Sequence, residues 1–378
     1  MNHKKINNIL YLADGGMFGG GQKITKSLYE HKKNNSLRKF MISIYNQRKE
    51  KDELKSRVCI TNPYYFQSVG ILNIFDIKNL VRIVKICKLW NIDIIHSDSN
   101  RTDIVAFIVS RFTRVKIVST CHSYLVVGLR SRLLSIIKYF IYQYFDAVIA
   151  VSYFTKDYIN KRTRVKLIKV VSCVIDLPEV SLKIEERQYN KFISLSPFIL
   201  YVGRIIYEKG IEFLINAFQK MTSYEQYKNI KLIFVGDGPD IDKYKLIIKR
   251  RSQLNNIHFL GFMENLTELY SLCEFVVLPS MAETGSLVIK EAIMSGKAII
   301  ASNVGGIPEI LQHRINGLLV RPHDTDGLVI AMRELLDNIA LRENIERENI
   351  LKSSCFKAKR MNENMEEIYE YLIAKQGI

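Results

Sequence analysis

The chain has 378 residues, 48% of them apolar and 25% charged, a balance that excludes a disordered segment and gives room for two ordinary domains. No run of about eighteen apolar residues occurs, so no membrane-spanning helix is expected. Cys59, Cys87, Cys121, Cys173, Cys273 and Cys355 form no Cys-x-x-Cys pair, which argues against a zinc site or disulfide framework and for a reducing compartment. The whole net charge of +17 lies in residues 1–190, with 32 Lys and Arg against 15 Asp and Glu; residues 191–378 carry 23 of each. A field of that sign concentrates anionic partners such as lipid headgroups, lipid diphosphates or nucleic acid.

The basic start, Met-Asn-His-Lys-Lys, is followed by an apolar run too short for a signal peptide, so Ile6–Leu12 is expected to be a first strand. Apolar runs then predict strands at Phe40–Ile44, Asp93–His96, Val115–Thr120, Ala147–Val151 and Leu167–Val171. Helices are expected between them, among them Gln22–Lys33 and Lys78–Trp90. Within Leu125–Phe145, a helical wheel gathers Arg132, Ser135, Lys138, Tyr142, Gln143 and Asp146 on one arc. Leu133, Leu134, Ile136, Ile137, Phe140, Ile141 and Tyr144 fill the other. That pattern fits an interfacial helix on a membrane surface, and also the commoner case of a helix packed by its apolar arc on a sheet.

Between Pro178 and Pro197 a charged, weakly patterned stretch (Glu185, Glu186, Arg187, Gln188) reads as a linker. Beyond it the alternation resumes, with strands expected at Phe198–Val202, Lys231–Val235, His258–Leu260, Phe275–Leu278 and Ala298–Ala301, and a last helix near Lys357–Lys375. Alternating strands and helices mean parallel sheets with crossover helices, hence an α/β protein of two doubly wound domains.

Several loops at expected strand ends carry chemistry. Gly19-Gly20-Gly21-Gln22 follows the first strand and opens a helix, where backbone N–H groups approach a phosphate. Its spacing is not the dinucleotide Gly-x-Gly-x-x-Gly pattern. Gly203-Arg204 and Lys209-Gly210 place two cations beside a strand end, suited to a diphosphate. Gly236-Asp237-Gly238-Pro239 is a further strand-end turn. From Pro279 to Glu309, Glu283 and Glu291 flank a helix start at Gly285-Ser286-Leu287, whose N–H groups are open to a phosphate while the carboxylates accept from sugar hydroxyls. Asp240-Ile241-Asp242 and Asp324-Thr325-Asp326 match an Asp-x-Asp metal signature but have no third ligand, and the seven histidines show no paired spacing.

Together these motifs resemble the retaining GT-B glycosyltransferases of family four. The second half carries Tyr-Val-Gly-Arg (201–204), Glu-Lys-Gly (208–210), Val-Gly-Asp-Gly-Pro (235–239), Phe-Leu-Gly-Phe-Met (259–263), Leu-Pro-Ser (278–280), Gly-Gly-Ile-Pro-Glu (305–309) and Asn-Gly-Leu-Leu-Val-Arg-Pro-His-Asp (316–324) in the family's order. The first half carries the glycine loop, Thr-Cys-His-Ser (120–123) and Ala-Val-Ser (150–152). The sequence departs from the family at Thr284-Gly285-Ser286, where Gly-Phe-Gly is usual, and at Ser172–Asp176.

The resemblance implies two Rossmann-like domains facing a cleft. An acceptor-binding domain spans 1–180, a linker 181–196 and a nucleotide-sugar domain 197–356, with a final helix (357–378) open to packing on either domain. It implies that Arg204 and Lys209 hold the diphosphate, that Glu291 contacts the ribose and Glu283 the donor sugar, and that Ser286 and Leu287 offer backbone groups to the phosphates. Phe262 and Met263 would present backbone groups to the base. Gly203 and Gly236 would belong to the donor loops, Gly20 and Gly21 would close over the diphosphate, and His122 would stand near the anomeric carbon. The expected activity is metal-independent, retaining hexosyl transfer from a nucleoside-diphosphate sugar, UDP favoured over GDP, with no cofactor. The acceptor is expected to be a glycan or lipid-linked glycan of the bacterial cell surface. The expected location is cytoplasmic or peripheral on the inner membrane face through the basic domain, with no nucleic-acid partner. A GT-B nucleotide-sugar epimerase and a non-catalytic partner subunit are the alternatives.

Overall fold

The structure is a computed structural model and describes residues 7–15, 19–31, 37–46, 66–71, 76–122, 129–177, 192–251 and 255–375. Gly16, Ser123 and linker residues 181–191 lie outside the described residues, as do the side chains of Arg132 and Leu133. The chain forms two compact units, Met1–Ile175 with Ala358–Ile378, and Asp176–Lys357.

The first unit runs β1 (Asn7–Asp14), α1 (Gly20–Glu30), β2 (Leu37–Asn46), β3 (Phe66–Ile71), α2 (Ile77–Leu89), β4 (Ile94–Ser97), α3 (Asn100–Arg111), β5 (Lys116–Cys121), α4 (Leu129–Tyr142), β6 (Ala147–Ala150), α5 (Tyr153–Asn160) and β7 (Ile168–Val170). Its seven strands are ordered β3-β2-β1-β4-β5-β6-β7 and pair in parallel. Helices covering both faces leave the central strands no polar side, so β4 and β6 are buried at every position. Side chains just ahead of the helices set their starts: Asp76, Ser99 and Ser152 accept from Asn79, Thr102 and Thr155 N–H groups.

The second unit runs β8 (Phe198–Val202), α6 (Ile211–Thr222), β9 (Lys231–Val235), α7 (Ile241–Arg250), β10 (Ile257–Gly261), α8 (Thr267–Leu272), β11 (Phe275–Leu278), α9 (Leu287–Met294), β12 (Ile299–Ser302), β13 (Leu318–Val320), α10 (Thr325–Asp337) and α11 (Ile339–Ser353). Its parallel sheet is ordered β10-β9-β8-β11-β12-β13. The strand order reverses between β1 and β4 in one unit and between β8 and β11 in the other. In such sheets that reversal opens a crevice at the carboxyl ends of the strands.

The chain re-enters the first unit with α12 (Ala358–Ala374). The buried Tyr369 hydroxyl shares a hydrogen bond of 2.5 Å with His96 Nδ1, whose Nε2 meets Thr120 Oγ1 at 2.7 Å. Burial, then the neighbouring His122, lowers the His96 pKa to about 3, so the ring is neutral and both nitrogens are used. Lys39 reaches Glu366 on the same helix at 3.2 Å.

One helix departs from expectation. The polar arc of α4 faces inward: Ser135, Lys138 and Tyr142 are buried. Lys138 Nζ lies 3.6 Å from Asp103 Oδ2, and the Tyr142 hydroxyl donates to the same oxygen at 3.1 Å. The apolar arc divides, with Ile141 buried but Ile136, Phe140 and Tyr144 exposed. A carboxylate on α3 therefore decides which side of α4 faces the core.

Candidate active site

In the second unit the loops after β8 and β11 meet through glycines. Gly210, at φ 72°, approaches so closely that a Cβ would stand 2.0 Å from the Pro279 carbonyl oxygen. Met281 N–H also donates to the Glu208 carbonyl at 2.9 Å. That approach carries Lys209 to Glu283, Nζ to Oε1 at 2.5 Å, and Ser280 Oγ donates to the same oxygen at 2.9 Å. Glu283 is buried and Lys209 partly so. The backbone of Glu283 is held as well, because its carbonyl accepts from Gly306 N–H at 3.1 Å. Gly305, at φ 55°, leaves that oxygen room which a Cβ would fill at 1.8 Å. The two glutamates of the sequence motif thus have different settings, the first joined to a cation.

Glu291 sits on the second turn of α9, buried, and accepts from the buried Tyr270 hydroxyl at 2.9 Å. Burial, then the charge of Glu291, pushes the Tyr270 phenol well above its usual range, so it stays a donor. Ser286 caps α9 by accepting from Ile289 N–H at 3.4 Å, and the half-buried Leu287 is the first helical residue. The free N–H groups of a helix's first turn carry partial positive charge. Arg204 is exposed at the end of β8, its carbonyl taking the Tyr201 hydroxyl at 2.9 Å. Gly236 faces the neighbouring loop, since a Cβ would stand 1.9 Å from the Gly203 carbonyl oxygen. Gly203 itself, at φ 150°, fits over the Tyr201 hydroxyl. Phe262 is exposed and Met263 half-buried in the turn after β10.

In the first unit, the loop after β1 meets the end of β5. Gly20 and Gly21 open α1, whose cap Gly19 donates its N–H to Gln22 Oε1 at 3.1 Å. A Cβ on Gly21 would stand 3.4 Å from His122 Cδ2. Asp98, after β4, accepts from Asp14 N–H at 3.2 Å and from Thr25 Oγ1 at 2.7 Å, so one carboxylate ties the end of β1 to α1. Burial, then the hydrogen bond from Thr25 working against it and the charge of Asp14, leaves Asp98 raised to about 7. Sequence reasoning missed Asp98 and Tyr270, and gave Ser280 no role of its own within Leu-Pro-Ser (278–280). A strand-end carboxylate next to His96 was the visible signal for Asp98; Tyr270 gives none, as its partner lies on another helix.

The Asp-x-Asp pairs serve local structure. Asp240 accepts from Tyr207 N–H at 2.8 Å, Asp324 from Gly327 N–H at 2.7 Å, and Asp326 pairs with Lys220 at 2.9 Å. Among the described residues no group of three or more His, Cys, Asp or Glu is placed to hold a metal ion.

Cations, a helix N-terminus and carboxylates gathered at the strand ends suit a ligand that carries both phosphate and hydroxyl groups. The profile described as Glycosyl transferases group 1 matches residues 183–351, and that described as Glycosyltransferase Family 4 matches residues 42–179. Between them the two profiles match most of residues 42–351, and the chain belongs to the group 1 glycosyltransferases and has the GT-B fold. It is 35% identical over 149 residues to an uncharacterized glycosyltransferase of Methanocaldococcus jannaschii, covering 39% of this chain and 37% of that protein. It is 33% identical over 151 residues to the alpha-D-kanosaminyltransferase of Streptomyces kanamyceticus, covering 39% of each. A longer match, 27% over 307 residues, covers 78% of this chain and 79% of the N-acetyl-alpha-D-glucosaminyl L-malate synthase of Bacillus anthracis. Among solved structures, Anabaena HepE in complex with UDP superposes with a TM-score of 0.79 at 19% identity, over 96% of this chain and 100% of that one.

Proposed function

We propose that the enzyme transfers a hexosyl group, with retention and without a metal, from a nucleoside-diphosphate sugar to a hydroxyl acceptor. The reading rests on one observation: Lys209 and Glu283 meet at 2.5 Å beside the N-terminus of α9, one group for the diphosphate and one for the sugar. As the bond between anomeric carbon and diphosphate oxygen breaks, its electron pair goes to that oxygen, and Arg204, Lys209 and the first turn of α9 stabilise the charge. The acceptor hydroxyl attacks the face the diphosphate leaves, and its proton passes to the departing phosphate oxygen, so configuration is kept. Glu291, oriented by Tyr270, takes the ribose hydroxyls. UDP is favoured over GDP because the Anabaena neighbour is described in complex with UDP and with UDP-glucose. The basic first half supports a glycan or lipid-linked glycan acceptor of the bacterial cell surface, and six scattered cysteines with no Cys-x-x-Cys pair support a cytoplasmic location.

The test is turnover of UDP- and GDP-sugars with EDTA present. Arg204→Ala is expected to lower kcat by about a hundredfold or more, and undiminished turnover removes the site assignment. Sugar isomerisation without any acceptor would favour the epimerase, and loss of all turnover on adding EDTA would remove metal independence.

A further inference from the structure

The exposed side of α4 is a surface with no use inside its own unit. Ile136, Phe140 and Tyr144 form a stripe four residues apart and are 67%, 62% and 40% exposed. Phe112, at the end of α3, is 65% exposed, and Tyr144 packs edge-on to Phe140 and against Phe107 of α3. The helix cannot roll to hide the stripe. Doing so would pull Lys138 and Tyr142 from Asp103 and leave a buried carboxylate short of its cation.

Cations border the stripe. The Arg111 guanidinium lies over the rings of Phe107 and Tyr144, at 5.2 and 5.7 Å. On the other side a depression of about 410 Å³ is lined by Tyr139, Phe140, Gln143, Lys161, Arg162 and Arg164, among others. From residue 100 to 170 the sequence has thirteen Lys and Arg against three acids, Asp103, Asp146 and Asp157. Asp103 is buried and Asp146 pairs with Lys166 at 3.4 Å, so the sign of this face is positive. Among the described residues no helix is long and apolar enough to cross a membrane, so any contact made here is with a surface.

We propose that this face of α3, α4 and the turn after α5 docks the protein on an anionic lipid bilayer. Ile136, Phe140, Tyr144 and Phe112 enter the boundary between headgroups and acyl chains, while Lys161, Arg162, Arg164 and Arg111 meet lipid phosphates. A second copy of the chain is a poorer occupant, because a two-fold contact would set this positive face against itself. Nucleic acid would engage the cations and leave the aliphatic stripe uncovered. The proposal is independent of the donor site, since none of these residues belongs to it.

Sedimentation of the full chain with vesicles tests it, using phosphatidylcholine alone and mixed with phosphatidylglycerol. The protein is expected to sediment with the mixed vesicles only, and less at high salt. I136S/F140S should weaken binding at least tenfold, and K161Q/R164Q about fivefold per charge removed. Both pairs face solvent, so melting and nucleotide binding should match the parent protein. Failure to sediment with the anionic vesicles overturns the proposal, as does undiminished binding by both variants. A parent dimer that I136S/F140S turns monomeric in light scattering also overturns it, in favour of a second copy.

Discussion

The two units share a topology yet secure their functional loops by different means. In the second, backbone rests on backbone: Gly236 on the Gly203 carbonyl, Gly210 on Pro279, and Gly305 on Glu283. In the first, side chains do the holding, with Asp98 joining the end of β1 to α1 and His96 joining Thr120 to Tyr369. Backbone contacts of this kind are indifferent to pH and tolerate no added atom. Side-chain contacts allow substitution but depend on charge. The same residue type, glycine, therefore has different work in the two units, spacing loops in one and leaving the His122 side of a loop open in the other.

The largest effect that would break this comparison comes from Gly236→Ala. Its Cβ would stand 1.9 Å from a backbone oxygen at φ 135°, so unfolding experiments should show a loss of about 4 kcal/mol. A loss below about 1 kcal/mol would mean that these loops are not glycine-spaced.

Asp98→Asn comes next and reads the charge dependence of the first unit. Its native pKa of about 7, against an ordinary 3.8, means the folded state holds the proton more tightly. Its burial penalty is absent below about pH 4 and complete above about pH 7. Asp14 and Asp103 add to it, and Arg101, 3.6 Å from Asp14, partly offsets the first. Asp98→Asn is therefore expected to remove a fall in stability of up to about 1.4 kcal/mol per pH unit across that window, measured by urea unfolding at several pH values. An unchanged slope would place the proton elsewhere.

The smallest effect is Gly21→Ala. Its Cβ meets His122 at an ordinary 3.4 Å, and alanine suits the first turn of a helix. Stability is expected to rise by about 0.5–1 kcal/mol while the KM for donor rises too. A stable variant with an unaltered KM would sharpen the comparison by removing Gly21 from the donor's path.

Much of this was legible in the sequence where signals are local. β8, β9 and β11 fall where continuous apolar runs place them, since a strand buried on both faces must be apolar throughout. β3 was not visible, because Gln67, Ser68 and Gly70 interrupt an edge strand, nor was β13, only three residues long. The glycine and glutamate positions of the site stood out because loops at strand ends are short and their composition is unusual. Their supports did not: Tyr270 for Glu291 and Asp98 for the glycine loop are chosen by folding, across 21 and 73 or more residues. The orientation of α4 was hidden for the same reason, as Lys138 becomes an inward residue only once Asp103 stands opposite it.

The return of α12 bears on how the protein is made. Tyr369 meets His96 across 273 residues of chain, so the amino-terminal unit lacks a piece of its interior until α12 has been translated. The unit Asp176–Lys357 is one continuous stretch and has all its parts while that piece is still missing. On the ribosome, the half that emerges first is then the half completed last, and it spends the interval as an open sheet within reach of chaperones.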